Sequence, residues 1–257
     1  FNFRADRMRE ITKVFTLPEF KEFQRKEMSV KYVSFTHYAD EFKFPVAFPQ
    51  QRLTDVLGEV IAKNGLAQLR LAETEKYAHV TYFANGGYET PFPKEERYMV
   101  PSPKVKTYDL KPEMSAFEVC DYLVEKIKNG DYPFILVNFA NCDMVGHTGI
   151  MEAAVKAVNT VDSVMSKIIP IAYDLGYSCI ITADHGNAEK MVSDETGEPF
   201  TEHTVNLVPL CLLSRSSVEL RSGGKLSDIA PTVLELMGLE QPESMTGKSL
   251  ILKKNNQ

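Results

Sequence analysis

The chain has 257 residues, 44% of them hydrophobic and 25% charged, which is the composition of an ordinary soluble protein with room for one large α/β domain or two small ones. Its net charge of −6, from 29 basic and 35 acidic residues, does not suit a nucleic-acid coat, which presents a basic face. No apolar run approaches the roughly 20 residues that span a bilayer, and no basic segment followed by an apolar stretch marks a signal peptide, so a cytoplasmic location is the expectation.

In chain order, FNFRADRMREITKVF is charged and helix-compatible, with Ile11, Val14 and Phe15 at helical spacing. KYVSFTHYA (31–39) alternates as a strand, and RLTDVLGEVIAKNG (52–65) reads as an amphipathic helix ended by Gly65. LAQLRLAE (66–73) and AHVTYFA (78–84) are strand-like, followed by a loop rich in Gly, Pro and charge from Asn85 to about Lys104. Ser115 and Glu118 form a capping-box pattern before the helix FEVCDYLVEKIKNG. PFILVNFA (133–140) is a near-continuous apolar run, as in a central parallel strand covered on both faces.

A long helical pattern spans about 151–175 and ends near Gly176. SCIITA (178–183) and LVPLCLL (207–213) read as two more buried strands. Ser227 is placed to cap the last helix, DIAPTVLELMG, with Pro231 in its first turn and Gly238 beyond its end. Strand and helix alternating at this spacing mean βαβ units: an α/β fold with a mainly parallel sheet flanked by helices. Residues 1–25 read as a short segment belonging to something upstream, and residues 26–257 as one α/β domain. The four cysteines (Cys120, Cys142, Cys179 and Cys211) contain no C-x-x-C pair. They argue against a disulfide framework or a zinc knot and read as small hydrophobes, most clearly Cys179 and Cys211 inside apolar runs.

Three polar clusters sit outside the ends of the three apolar strands: NCDMVGHTG with Asp143 and His147, DHGNAE with Asp184 and His185, and TEHTVN with His203. Ligand sites of open α/β sheets form beyond the carboxyl ends of the strands. Imidazole with carboxylate suits Mn, Zn or Fe(II) rather than Ca. Asp143, His147 and His203 make a set of two His and one carboxylate, while Asp184 and His185 supply half of a second set. A single D-x-x-x-H or Asp-His pair is more often a cap or a turn former, but two such pairs after buried strands, with a third His nearby, favour metal. The residues by themselves reach a metal site and leave open whether it holds one ion or two. His37, within a strand pattern, and His79, beside one, read as structural or surface residues.

NCDMVGH, TADHGNAE and H-T-x-N-x-V-P, with FNFRADR at the start and ETEKYAHVTYF at 73–83, resemble in order and spacing the motifs of cofactor-independent (2,3-bisphosphoglycerate-independent) phosphoglycerate mutases. The resemblance implies an alkaline-phosphatase-like phosphatase domain carrying an inserted transferase domain. Carried over by motif, Asp143, His147 and His203 match the ligands of one metal, and Asp184 and His185 two ligands of another. Arg4 and Arg7 match arginines that hold the phosphoglycerate, and Lys76 matches a lysine that reaches the phosphate. Bidentate Arg and point-charge Lys suit carboxylate and phosphate.

The implied cofactors are two divalent metals, Mn first and Mg, Zn or Co as alternatives, with no 2,3-bisphosphoglycerate. The implied reaction interconverts 3-phosphoglycerate and 2-phosphoglycerate through a phosphoserine, in a monomer, without nucleic-acid or membrane partners. The motifs of the family's nucleophilic serine and of a further metal-binding aspartate have no match here, nor does most of the transferase domain. The expectation is therefore the C-terminal half of a mutase, inactive alone. Competing readings are another phosphomutase or phosphatase of the same superfamily, against which FNFRADR and ETEKY count, or a non-catalytic fragment. Cys142 stands where many members carry Pro or Gly and is not expected to coordinate.

Overall fold

The structure is a computed structural model that describes every residue except Phe1, Phe3, Arg4, Glu27, Met28, Asp40, Gln50, Gln51, Arg52, Asn256 and Gln257, and no side chains at 5–7 or 253–255. It divides into two compact units, Phe1–Arg52 and Leu53–Gln257. Residue 25, where the sequence suggested a boundary, lies inside the first.

In the first unit, helix α1 (Ala5–Thr16) forms where the charged helical pattern predicted it. Thr12 is fully buried and shares a 2.9 Å hydrogen bond with the Tyr32 hydroxyl. Arg9 Nε donates to the Tyr38 carbonyl at 2.7 Å, and the Tyr38 hydroxyl donates to the Asn2 carbonyl at 2.6 Å. The expected strand at 31–39 does not form. Among the described residues only Ser34 bridges, to Val46, because an alternating pattern makes a strand only where a neighbouring strand supplies the ladder. Tyr32, Phe42 and Phe44 pack ring on ring instead, 4.7–5.4 Å between centroids.

The second unit opens with α2 (Leu57–Lys63), shorter than the sequence reading. Asp55 takes φ 57°, which no helix residue adopts, so the helix starts beyond it. Gly65, at φ 71°, ends it as expected. Next come β1 (Gln68–Glu73), buried at every residue, and α3 (Thr74–Ala78). The expected strand at 78–84 is a π-helical turn, His79–Phe83, continuing α3. A short apolar run carries too little periodicity to separate the two. Within the supposed loop 85–104 lies β2 (Glu95–Val100). It went unread because edge strands tolerate charge and its interior positions are exposed or half-exposed.

Helix α4 (Ala116–Asn129) follows, with Gly130 left-handed at its end. The capping box predicted there is absent: the Ser115 side chain makes no cap bond, and its hydroxyl donates to the Pro101 carbonyl at 2.8 Å. Then come β3 (Phe134–Asn138), α5 (Asn141–Gly146), the long α6 (Met151–Asp174) and β4 (Cys179–Thr182). The chain closes with β5 (Leu210–Leu213), β6 (Ser217–Leu220), α7 (Ile229–Met237) and β7 (Ile251–Asn255). Asp228, not Ser227, stands at the N-cap of α7.

β1 pairs in parallel with both β2 and β3, in the order β2-β1-β3. β1 is therefore the central strand of that sheet, while the apolar β3 is half-buried along its whole length. β4 and β5 pair antiparallel with each other, and β6 with β7, so the parallel sheet ends where the last third of the chain begins. Leu69 and Leu71 on one face of β1 pack against Val119, Cys120, Leu123 and Ile127 of α4 and Val164, Ile168 and Ala172 of α6. At roughly 1.5–3 kcal/mol per large apolar side chain removed from water, this layer fixes the carboxyl ends of β1 and β3. Cys179 joins the layer, but Cys211, expected to be buried, is exposed on β5, whose ladder among the described residues is with β4 alone.

Candidate metal centre

Strand β1 delivers Lys76 and β3 delivers Asp143 and His147, each through the short helix that starts at the strand's carboxyl end. Lys76 lies within α3, three residues after β1. Asp143 lies in the first turn of α5, and His147 follows it by one helical turn, so both project from one face. Asp184 and His185 lie just beyond β4, and His203 lies in the loop that leads to β5.

At the centre, Asp143 Oδ1, His147 Nε2 and His203 Nε2 form a nearly equilateral triangle with edges of 3.1, 3.0 and 3.1 Å. Three ligands at about 2.1–2.2 Å from one cation, at right angles, stand roughly 3.0 Å apart, whereas a tetrahedral site spreads them to roughly 3.4 Å. The triangle is compact enough for its three donors to reach one cation. His147 Nδ1 lies 2.7 Å from the Thr201 carbonyl, a contact that requires the proton on Nδ1 and leaves the Nε2 lone pair aimed into the cluster.

His185 Nε2 lies 3.9 Å from Asp143 Oδ1 and 3.7 Å from Asp184 Oδ2, and its ring stacks on His203 at 3.7 Å between centroids. Asp143, His185 and His203 also have ligand atoms within 4.8 Å of one another. Asp143 and His203 are therefore shared between two overlapping groups, and Asp184 extends the second group outward. Cys142 supplies no ligand atom to this group, and burial raises its thiol pKa.

Asp143 is held by more than histidine. The ammonium of Lys76, a residue only 5% exposed, contacts its other carboxylate oxygen, Oδ2, and Asn187 Nδ2 donates to Oδ1 at 3.1 Å. Burial pushes the Asp143 carboxyl upward, but the hydrogen bond and charge of Lys76, with His147 and His185 nearby, outweigh it and hold the pKa below the ordinary value. The carboxylate stays ionised and keeps Oδ1 for the cluster.

Asp143, His147 and His203, read from the sequence as one set, thus stand together in space, while Asp184 and His185, read as half of a second, lie beside them and Lys76 lies against Asp143. Arg4 lies outside the described residues, as does the Arg7 side chain. His79 was taken as structural or surface. It follows Lys76 by three positions, at helical spacing, and feels the charges of Lys76, Asp184, Asp143 and His185. Burial, followed by Lys76, lowers its pKa. Reading 78–84 as a strand hid it, since only helical periodicity puts positions 76 and 79 on one face.

The family model of the metalloenzyme superfamily matches residues 10–241. The chain belongs to that superfamily. Its members carry divalent metals, in keeping with the donor set at Asp143. Among curated relatives, 2,3-bisphosphoglycerate-independent phosphoglycerate mutase 2 of Methanosarcina barkeri is 53% identical over 254 residues, covering 98% of this chain and 48% of that protein. The 2,3-bisphosphoglycerate-independent phosphoglycerate mutase of Pseudomonas fluorescens is 52% identical over 252 residues, covering 98% of this chain and 50% of that protein. A crystal structure of Leishmania mexicana phosphoglycerate mutase at low cobalt concentration superposes with a TM-score of 0.81 at 32% identity, over 97% of this chain and 49% of that one. The α/β fold is thus the alkaline-phosphatase-like one, and the chain spans about half the length of the relatives it matches. No helix among the described residues is long and apolar enough to cross a membrane.

Proposed function

We propose that this chain supplies the main metal-binding part of a cofactor-independent phosphoglycerate mutase, an isomerase that interconverts 3-phosphoglycerate and 2-phosphoglycerate. The observation that carries the reading is the 3.0–3.1 Å triangle of Asp143, His147 and His203, set beside the buried Lys76. Relatives bearing that name, at 52–53% identity over 98% of the chain, support it.

In this reading Asp143, His147 and His203 hold one divalent cation, while Asp184 and His185 contribute to a second. Mn is the first choice and Mg, Zn or Co the alternatives, because two imidazoles and a carboxylate would accept several divalent cations. Such cations lower the pKa of an attacking serine and neutralise charge on the transferring phosphoryl group. Lys76 places its ammonium at the same spot and stabilises that charge as it develops. By the resemblance of FNFRADR, Arg4 and Arg7 hold the phosphoglycerate. The phosphoryl-accepting serine comes from outside this chain, so the chain by itself does not turn over. The complete enzyme works as a monomer in the cytoplasm and needs no 2,3-bisphosphoglycerate.

The test is calorimetric titration of Mn²⁺ into this chain and into His147→Ala. One saturable site is expected, weakened at least about tenfold in the variant, as loss of one of three ligands requires. A wild-type chain that takes up no Mn²⁺ would refute the metal assignment. Phosphorus NMR of 3-phosphoglycerate incubated with the Mn-loaded chain should show no 2-phosphoglycerate, and turnover there would overturn the placement of the serine elsewhere.

A further inference from the structure

The connection from β4 to β5 folds back on itself, with antiparallel bridges Gly186–Thr204 and Val192–Pro199, and its two arms each bring one histidine towards Asp143: the 184–189 loop carries His185, and the 201–206 loop carries His203. One side chain ties them together. Glu189 accepts the Asn187 backbone N–H on Oε2 at 2.6 Å. Its other oxygen accepts Asn206 Nδ2 at 2.9 Å and the Thr204 hydroxyl. The Thr204 backbone N–H also donates to the Gly186 carbonyl at 3.0 Å, so the loops are joined twice, by main chain and by carboxylate. Residue 186 must be glycine for this closure, because a Cβ there would collide with both the Thr204 hydroxyl and the Glu189 carboxylate.

The same carboxylate reaches Asp143 through one intermediary. Asn187, whose N–H Glu189 holds, is buried and donates from Nδ2 to Asp143 Oδ1 at 3.1 Å and to the Asp143 carbonyl at 3.4 Å. Its Oδ1 is buried without a partner, so the side chain sits there for what its amide donates. Glu189 therefore fixes the loop of His203 on one oxygen and the donor that aims Asp143 on the other.

We propose that Glu189 is a positioning residue for the metal centre: it holds His203 and, through Asn187, Asp143 at ligand spacing without touching the ion. This rests on the metal reading above. An exposed carboxylate that accepts three donors otherwise contributes little to stability, whereas groups that orient metal ligands typically change affinity by about 10–100-fold when removed.

The experiment measures Mn²⁺ affinity and the metal-free melting midpoint for the whole chain and for Glu189→Gln, Asn206→Ala and Lys190→Gln. Hydrogen exchange over 184–206 is followed in the same set without metal. Glu189→Gln sets an NH₂ against a donor, so its Kd should rise about tenfold with little change in metal-free melting. Exchange should quicken in both loops. Asn206→Ala, which loses one of the three donors, should fall between, and Lys190→Gln should match wild type.

An unchanged Kd in Glu189→Gln overturns the proposal, as does a lowered melting midpoint with affinity intact, the mark of a merely structural role. Should Glu189→Gln fail to fold, Asn206→Ala decides by the same criterion. If the wild-type chain binds no Mn²⁺, the metal assignment falls on its own. The loop tie is then refuted separately if exchange in Glu189→Gln equals wild type in both loops.

Discussion

Gly146 closes α5 at the point where Asn187 crosses it, and replacing it with alanine sets two effects against each other. In a helix the change ordinarily stabilises by about 0.5–1 kcal/mol, because glycine loses more backbone freedom on folding. Here the new Cβ would stand 2.8 Å from Asn187 Cγ and closer still to its Oδ1, inside any real contact distance. Asn187 is 4% exposed and cannot swing into solvent without opening the site. Its displacement forfeits the 3.1 Å bond to ionised Asp143, worth about 1.5–3 kcal/mol as a hydrogen bond to a charged group. Overpacking adds about 1–3 kcal/mol where the neighbours cannot relax.

The losses exceed the propensity gain, so Gly146→Ala should destabilise by about 1.5–5.5 kcal/mol. With Asp143 no longer aimed, Mn²⁺ affinity should drop about tenfold, since 1.4 kcal/mol corresponds to one decade. Chemical denaturation gives the first quantity and calorimetric titration the second. A variant more stable than wild type, with unchanged Mn²⁺ affinity, would mean that Asn187 is not packed where the structure puts it.

Asp228 accepts the Lys248 N–H at 2.9 Å, the Lys225 N–H at 3.0 Å and Arg221 Nη2 at 2.7 Å. The Lys248 bond is the largest of the effects that hold its pKa down at about 2. A depressed carboxylate contributes stability above its unfolded pKa near 4 and loses it as pH falls toward 2. Asp228→Asn should therefore cost about 1–3 kcal/mol at pH 7 and flatten the stability-against-pH curve between pH 4 and 2, as followed by urea titration; equal slopes would refute this. In Gly58→Ala, the Cβ would meet Arg70 Nη2 at 2.5 Å, and Arg70 is 1% exposed, so about 1–3 kcal/mol of overpacking should show in thermal melts.

The sequence by itself determined the elements with strong periodicity or strong punctuation. The helices at 116–129 and 151–174 and the strand at 68–73 were legible. So were the glycine stops at Gly65, Gly176 and Gly238, each left-handed in the structure. Asp143, His147, Asp184, His185 and His203 were legible as candidates, since polar residues directly after apolar strands are where sheets of this kind place ligands.

Tertiary structure alone decided the rest. Which strand lies at the centre depends on hydrogen-bonded neighbours, and β1, with a buried arginine, took the place that the more apolar β3 suggested. Whether 31–39 and 78–84 were strands depended on partners that a single segment cannot reveal. The contacts that bring His203 and Lys76 to Asp143 span 60 and 67 residues. The bonds that Asn187 and Glu189 make to Asp143, Thr204 and Asn206 are likewise long-range and leave no local period in the chain.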